Sequence, residues 1–141
     1  MPLPNGGRAL IELTDVRDAA AAFIAADAAR ERASGQAFNI SGGQPRRLRD
    51  LLETIFATLG TAPRLVNLPA GPAMAAAWLA ERVAALLPGR PEPQATRYAI
   101  MALAFSQTFD LTAARDVLGW APAFSPEAAI AFALDRRQAD G

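Results

Sequence analysis

Residues 35–53 read GQAFNISGGQPRRLRDLLE, and this stretch joins a strand-like segment to a helix through paired glycines. An apolar run at residues 37–40 is followed by Gly42 and Gly43 and then by a basic sequence. Backbone amides at a helix start can seat a phosphate. A turn that requires positive φ needs glycine equally well. Because the spacing matches no established phosphate loop, we favour the turn.

Hydrophobic periodicity on both sides of this stretch predicts short strands alternating with helices. Helix starts are marked by Asp15, Thr96 and Ser125, and helix ends by Gly35 and Gly119. The predicted strands are residues 8–14, 37–40, 64–68 and 107–111. The predicted helices are residues 16–33, 48–59, 72–87, 97–105, 112–118 and 126–138, with a loop at 89–93.

This alternation predicts an α/β fold with an α+β tendency, in which few short strands accompany several helices. Residues 1–141 are expected to form a single domain. Several helices are apolar on more than one side, and a few short strands offer little surface to cover them. We therefore expect part of the hydrophobic core to be completed by something outside this chain.

The composition excludes several kinds of site. The chain has 141 residues and a formal net charge of zero, so it lacks the basic field that nucleic-acid binding needs. It contains no cysteine and no histidine, and all 14 of its basic residues are arginine. Thiolate nucleophiles, zinc–thiolate sites, a histidine base and lysine chemistry are therefore excluded. We predict no catalytic and no metal-binding residue.

No segment predicts export or insertion into a membrane. The first residues, MPLPNGGR, have neither a cationic start nor an apolar core. The longest uncharged apolar stretch, residues 68–80, stops at Glu81 and is too short to span a bilayer. We expect a cytoplasmic protein with no nucleic-acid or membrane partner. Its neutral, apolar-rich surface is compatible with a homodimer.

Three carboxylates, Glu12, Asp15 and Asp18, lie close together in the sequence. They raise the alternative of a metal site or of acid–base chemistry. Asp15 and Asp18 are also explained as an N-cap with a capping-box partner at the start of a helix. Glu12 need not share a face with them. We favour capping, which leaves a carboxylate-based enzyme as the weakest hypothesis.

Three segments carry short motifs in a characteristic order. Their residues are Val16, Arg17 and Asp18 in the first; Gly35, Phe38, Asn39 and Ile40 in the second; and Asp110, Thr112, Ala114, Leu118, Gly119, Trp120 and Pro122 in the third. In this order they resemble the C-terminal part of the extended short-chain dehydrogenase/reductase superfamily, of the NAD-dependent epimerase/dehydratase type. The resemblance covers essentially all of this chain but only the C-terminal portion of a typical family member.

The resemblance implies a substrate-binding C-terminal region of an oxidoreductase or epimerase, with residues 37–40 as the last strand of a parent Rossmann sheet. In that family an N-terminal Gly-x-x-Gly-x-x-Gly loop binds the cofactor, and a Tyr-x-x-x-Lys pair is catalytic. This chain has no such loop and no lysine, and Ala102 stands four residues after its only tyrosine, Tyr98. The chain alone is therefore expected to bind no cofactor and to be inactive. NAD(P) is implied for a full-length parent, and the missing Rossmann lobe is implied as a partner.

The resemblance also bears on the substrate. Nucleotide-sugar members hold the diphosphate with arginines at positions that correspond here to Ile11 and Ile100. The chain is more similar to the 3β-hydroxysteroid dehydrogenase-like branch, which implies an apolar alcohol or ketone, with a sugar-like substrate as the alternative. The residues expected to line the substrate site are Leu68, Met74, Trp78, Arg97, Tyr98 and Met101.

Two alternatives stay open for the apolar helices in this region. A stripe of large apolar residues at helical spacing is more often part of a core than of a ligand site. Residues 97–105 are equally compatible with a core position and with an interface. An alternative function is accordingly a free-standing small-molecule-binding or dimerisation module that derives from the substrate lobe.

Overall fold

The computed structural model describes residues 1–86 and 96–139, with side chains as far as Arg136. Several helices accompany few short strands, which confirms the predicted α/β class. The helices are α1 Val16–Ala28, α2 Arg30–Ala33, α3 Leu48–Thr58, α4 Ala70–Leu86, α5 Arg97–Ala104 and α6 Pro126–Ala139, with a 3₁₀ turn at Asn5–Gly7 and a π-helix at Ala114–Leu118. The strands are β1 Pro2–Pro4, β2 Leu10–Ile11, β3 Arg46–Arg47 and β4 Val66–Leu68.

The chain forms two compact units, each assembled from two separated stretches. The first unit comprises Met1–Leu10 and Arg47–Gln107, and the second comprises Ile11–Arg46 and Thr108–Gly141. Whether residues 1–141 form one domain is not decided by this division, and the expectation of a single domain stays a prediction.

A parallel strand pair lies at the start of the first unit. β1 pairs with β4, with Leu3 opposite Asn67. Because Pro2 and Pro4 have no N–H to donate, β1 suits the edge of a sheet. Leu3, between the prolines, is buried with 1% of its surface exposed. Because proline is rare in strands, the sequence pattern did not predict β1, whereas its partner β4 was predicted.

The helices of the first unit agree with the predictions for residues 48–59, 72–87 and 97–105. α4 and α5 pack through small side chains, since Ala73 and Ala77 are buried together with Ile100. The opposite faces of both helices are apolar but exposed. The large apolar side chains exposed there are Trp78, Leu79, Val83, Leu86, Tyr98 and Met101.

The second unit packs α1, α2 and the π-helix around one hydrophobic core. Alanines of the two helices meet larger side chains from the C-terminal stretch. Phe38 and Ile40 pack against this core from the segment before the paired glycines. The buried members are Ala22, Ala29, Leu111, Ala114, Leu118 and Trp120.

The ends of the helices in the second unit follow local signals. The predicted helix at 16–33 is divided at Ala29 (φ −99°, ψ 14°) into α1 and α2. Gly119 has φ +67° after the π-helix, which occupies the place of the helix predicted at 112–118. Ser125 caps α6 because its Oγ accepts the N–H of Ala128 at 3.1 Å.

Two strand predictions need correction. The strand predicted at 8–14 is reduced to β2, Leu10–Ile11. The strand predicted at 107–111 is reduced to an isolated bridge at Gln107, whose N–H donates to the Leu10 carbonyl at 2.8 Å, and the backbone beyond it binds side chains. The N–H of Phe109 donates to Glu12 Oε1 at 3.4 Å, and the carbonyl of Asp110 accepts from an asparagine side chain.

Residues 37–40 are in no strand ladder within the described ranges. A strand requires a hydrogen-bonded neighbour, and the described residues do not provide one. The part of the prediction that assigns residues 37–40 to a parent Rossmann sheet therefore stays a prediction. The predicted loop at 89–93 lies outside the described residues. Among the helices of residues 1–86 and 96–139, none combines the length and the apolarity that crossing a bilayer requires.

Candidate functional site

The paired glycines form a tight turn whose geometry requires glycine twice. A Cβ atom at Gly42 would overlap the carbonyl oxygen of Leu13, because two backbone segments approach closely there. Gly43 has φ +63°, in the left-handed region. α3 begins only at Leu48, so the glycines do not form its N-terminus. The turn interpretation is confirmed, and this geometry lends no support to a phosphate site.

Ser41, directly before the turn, fixes the orientation of Glu12. Ser41 is buried, and its hydroxyl donates a hydrogen bond to Glu12 Oε2. The other carboxylate oxygen, Oε1, accepts the backbone N–H of Phe109. Glu12 therefore links the turn to the third motif segment and is engaged in structural contacts.

Asp15 caps α1 and holds Arg17 in place. Its Oδ1 accepts the Arg17 N–H at 2.8 Å and Nε at 2.9 Å, while Oδ2 accepts Nη2 at 2.7 Å. The Arg17 side chain lowers the pKa of Asp15, and the hydrogen bond in turn raises the pKa of Arg17. The guanidinium lies 3.6 Å from the ring centroid of Phe124 and 4.2 Å from that of Phe132. Arg17 is thus fixed both by charge and by aromatic contact.

Asp18 has a different role from the predicted capping-box partner. Its side chain is buried, and its two carboxylate oxygens accept the backbone N–H groups of Ala123 at 2.9 Å and Phe124 at 3.2 Å. Its backbone carbonyl accepts Trp120 Nε1 at 3.2 Å. The capping-box prediction is wrong for Asp18 because these amides, far along the chain, take both carboxylate oxygens.

Asn39 links the second motif segment to the third. Its Nδ2 donates to the carbonyl of Asp110 at 3.2 Å. The Asp110 carboxylate accepts the Thr112 N–H at 2.9 Å. The pKa of Asp110 is lowered mainly by the Thr112 side chain and further by this backbone hydrogen bond. The three motif segments therefore meet in the second unit, where their polar residues hold backbone together.

The acidic cluster does not form a metal site. Glu12, Asp15 and Asp18 each bind a separate set of donors, as described above. Within the described part of the chain, no three histidine, cysteine, aspartate or glutamate side chains are placed to share an ion. The interpretation of these carboxylates as structural is supported for all three.

The six residues predicted to line a substrate site all belong to α4, α5 and the strand before them. Leu68 and Met74 are half-buried beside the small core between the helices. Trp78, Tyr98 and Met101 are exposed on the outer faces. Within this unit five of the six residues therefore divide between a packed edge and an open apolar surface.

Arg97, the sixth of these residues, joins α5 to α4. Its Nε donates to Glu81 Oε2 at 2.7 Å, and its backbone N–H donates to Glu81 Oε1 at 2.8 Å. The backbone hydrogen bond is the main reason that the pKa of Glu81 is lowered, and the guanidinium adds to it. The pair is partly exposed, so its contribution to stability is small.

A cavity of about 450 Å³ lies elsewhere in the first unit, beside the 3₁₀ turn and the end of α5. Asn5 on its wall has positive φ, +48°. The Asn5 side chain donates to the Ala104 carbonyl at 3.3 Å and accepts the Ala70 N–H at 3.2 Å. None of the six predicted residues lines this cavity, so the lining of the substrate site stays a prediction. The Asn5-Gly6 pair is a sequence signal for a turn, and it could have predicted the 3₁₀ turn beside this cavity.

No protein-family model matches the chain. Over 133 residues it is 31% identical to the uncharacterized protein YbjS of Escherichia coli strain K12. Over 138 residues it is 30% identical to the 3beta-hydroxysteroid-dehydrogenase/decarboxylase isoform 2 of Arabidopsis thaliana. These alignments cover 91% and 92% of this chain. The chain is thus distantly similar to a dehydrogenase.

The same alignments cover 38% of the bacterial relative and 24% of the plant relative. The chain therefore spans well under half the length of these curated proteins. Among solved structures, it resembles RMD from Pseudomonas aeruginosa, which was determined in complex with NADPH. The TM-score is 0.60 at 12% identity, over 100% of this chain and 36% of that one. At this identity the likeness concerns the fold.

Proposed function

We propose that this chain is the substrate-binding C-terminal region of an NAD(P)-dependent epimerase/dehydratase or dehydrogenase. The observation that carries the proposal is the meeting of the three motif segments in one unit. The side chains that carry the resemblance, Asp18, Asn39 and Trp120, make the contacts between these segments. These contacts hold the segments that carry the resemblance in one fold, and the step from that fold to the function is made by analogy.

Large apolar side chains that are left exposed in the second unit support the proposal. Phe23 and Ile24 on α1 are 80% and 72% exposed. Within the described residues, no hydrogen bond engages the backbone of residues 37–40. An exposed apolar helix face beside a segment whose backbone has no hydrogen-bond partner among the described residues suits a neighbouring sheet that would cover both. In the proposed parent this sheet belongs to the nucleotide-binding lobe.

The chemistry would reside in that other lobe. Tyr98 is 81% exposed, and the chain has no lysine to accompany it. The chain alone would hold the substrate, while the cofactor loop and the catalytic pair come from the nucleotide-binding lobe. The role of this chain would be to orient a hydroxyl or carbonyl group of the substrate for hydride transfer.

We propose a cytoplasmic location for the protein.

The proposed substrate is an apolar alcohol or ketone. Trp78, Tyr98 and Met101 offer an open apolar surface on α4 and α5. Ile11 and Ile100 occupy the positions where the resemblance would place diphosphate-binding arginines. Arg97, the nearest candidate for an anion contact, is paired with Glu81.

Fluorescence titration tests this proposal. A steroid ketone should quench the tryptophan emission saturably, and Trp78→Phe should remove that change because Trp78 lies on the proposed surface. A nucleoside-diphosphate sugar should not change the tryptophan emission, and it serves as the control for a polar, charged substrate. Saturable binding of the sugar nucleotide without binding of the ketone would refute the proposed substrate class.

A dimerisation module is the second candidate, favoured by the exposed apolar faces of α4 and α5. Sedimentation of the isolated chain would then show a defined dimer. Leu79→Gln with Val83→Gln should dissociate it, since both side chains are about half exposed. Val16→Gln, at an exposed site in the second unit, is the control. A monomer at all concentrations would exclude this candidate.

A further inference from the structure

A second cavity, of about 570 Å³ and open to solvent on one side, lies in the second unit between the start of α1 and α6 and has a mostly apolar wall. Val16 and Ala20 form part of the α1 wall, and Phe132 and Ala133 form part of the α6 wall. Its volume is in the range typical of sites for small molecules. It is independent of the proposed substrate surface because none of the six substrate-lining residues belongs to this unit.

The cavity wall carries more positive than negative charge. Asp15 is the acidic residue of the wall, and Arg17 and Arg136 are its two basic residues. Asp15 is neutralised by two hydrogen bonds from the Arg17 side chain. Within the described residues, no carboxylate oxygen lies within 4.0 Å of the Arg136 guanidinium nitrogens. The wall therefore carries one positive charge in excess.

Phe132 connects the two arginines. Its ring centroid lies 4.2 Å from the Arg17 guanidinium carbon and 5.8 Å from that of Arg136. Arg17 is held by Asp15 and covered by the ring, whereas Arg136 stands on the exposed side of α6. A guanidinium beside an apolar wall can bind a carboxylate through two parallel N–H donors.

We infer that this cavity binds a small carboxylate with an apolar body, with the carboxylate at Arg136 and the hydrocarbon against Val16, Ala20 and Phe132. The excess charge selects an anion over a neutral or cationic ligand of the same size. The alanines and the phenylalanine ring offer the apolar tail a surface that needs no polar partner.

Calorimetric titration with octanoate tests the inference. Octanoate should bind saturably with a dissociation constant of about 1 mM or below, as expected for a ligand of this size. Octanol and octylamine, which share the tail but lack the negative charge, should bind at least about tenfold more weakly, the loss expected for one charged hydrogen bond.

Two variants make the test specific. Arg136→Gln should weaken octanoate at least about tenfold, and Ala133→Phe should block binding by filling the cavity. Arg115→Gln is the matched control, since Arg115 is exposed in the same unit and does not line the cavity. The inference is overturned if octanoate does not saturate, if octanol binds as well, or if Arg136→Gln binds octanoate as the unmodified chain does.

Discussion

At the residue scale, the buried carboxylate of Asp18 is the main link between α1 and the segment before α6. It accepts two backbone amides, while its own carbonyl accepts the indole N–H of Trp120. A local pattern could not predict this role, because the partners lie more than 100 positions away in sequence. The capping pattern at Asp15 is local, and that prediction was correct.

Replacing Asp18 by alanine should destabilise the second unit by about 2 kcal/mol or more, since two part-buried N–H groups lose a charged acceptor. Asp18→Asn should cost less because one amide oxygen can still accept. Urea unfolding followed through Trp120 fluorescence, in a Trp78→Phe background, measures both. The control is Asp27→Ala on the exposed side of α1, expected to change stability by less than about 0.5 kcal/mol. Equal effects at Asp18 and Asp27 would contradict the assigned role.

Asp15 should make the second unit sensitive to acid. Its pKa lies below the ordinary value of 3.8 in the folded protein because Arg17 binds the ionised form. Its contribution is therefore complete above about pH 4 and is lost as the pH falls through the lower, folded pKa. Asp15→Asn keeps an N-cap but removes this ion pair. The free energy of unfolding of Asp15→Asn should accordingly fall less steeply on acidification than that of the unmodified chain. A slope unaltered by Asp15→Asn would contradict the role of the pair.

At the element scale, the residues that cap the helix starts were predictable and strand lengths were not. Thr96 and Ser125 cap their helices with their own side chains, a signal contained within a few residues. A strand instead depends on a distant partner. Residues 107–111 have the composition of a strand, yet their backbone pairing stops at Gln107, which binds the Leu10 carbonyl. Phe109 and Asp110 instead bind the side chains of Glu12 and Asn39.

The glycine turn gives a prediction at this scale. Gly42→Ala should destabilise the second unit by several kcal/mol, on the order of 3, because the new Cβ would overlap the Leu13 carbonyl. Gly71→Ala is the matched control, since Gly71 lies in α4 with no atom near its Cβ direction. It should raise stability by about 0.5 kcal/mol. Thermal unfolding of both variants measures the contrast, and a neutral Gly42→Ala would show that the close approach is absent.

At the scale of the whole molecule, the sequence predicted the fold class, and both the structure and its likeness to a solved structure agree with it. The division into two units was not predictable, because each unit combines stretches that are remote in the chain. Three of the residues predicted to line the substrate site lie on an open surface and not in an enclosed pocket. Trp78 and Tyr98 have the side chains of a core or of a ligand site, and periodicity alone cannot separate these roles.

The central claim is that this chain holds substrate while another lobe holds the nucleotide. It is tested most directly by titrating the isolated chain with NADH and NADPH up to about 1 mM, the upper end of ordinary KM values. Calorimetry and the emission of Trp78 and Trp120 report binding independently. The account predicts no saturable signal for either dinucleotide. Saturable binding with a dissociation constant of about 10 μM or tighter would place a nucleotide site within these residues and contradict it.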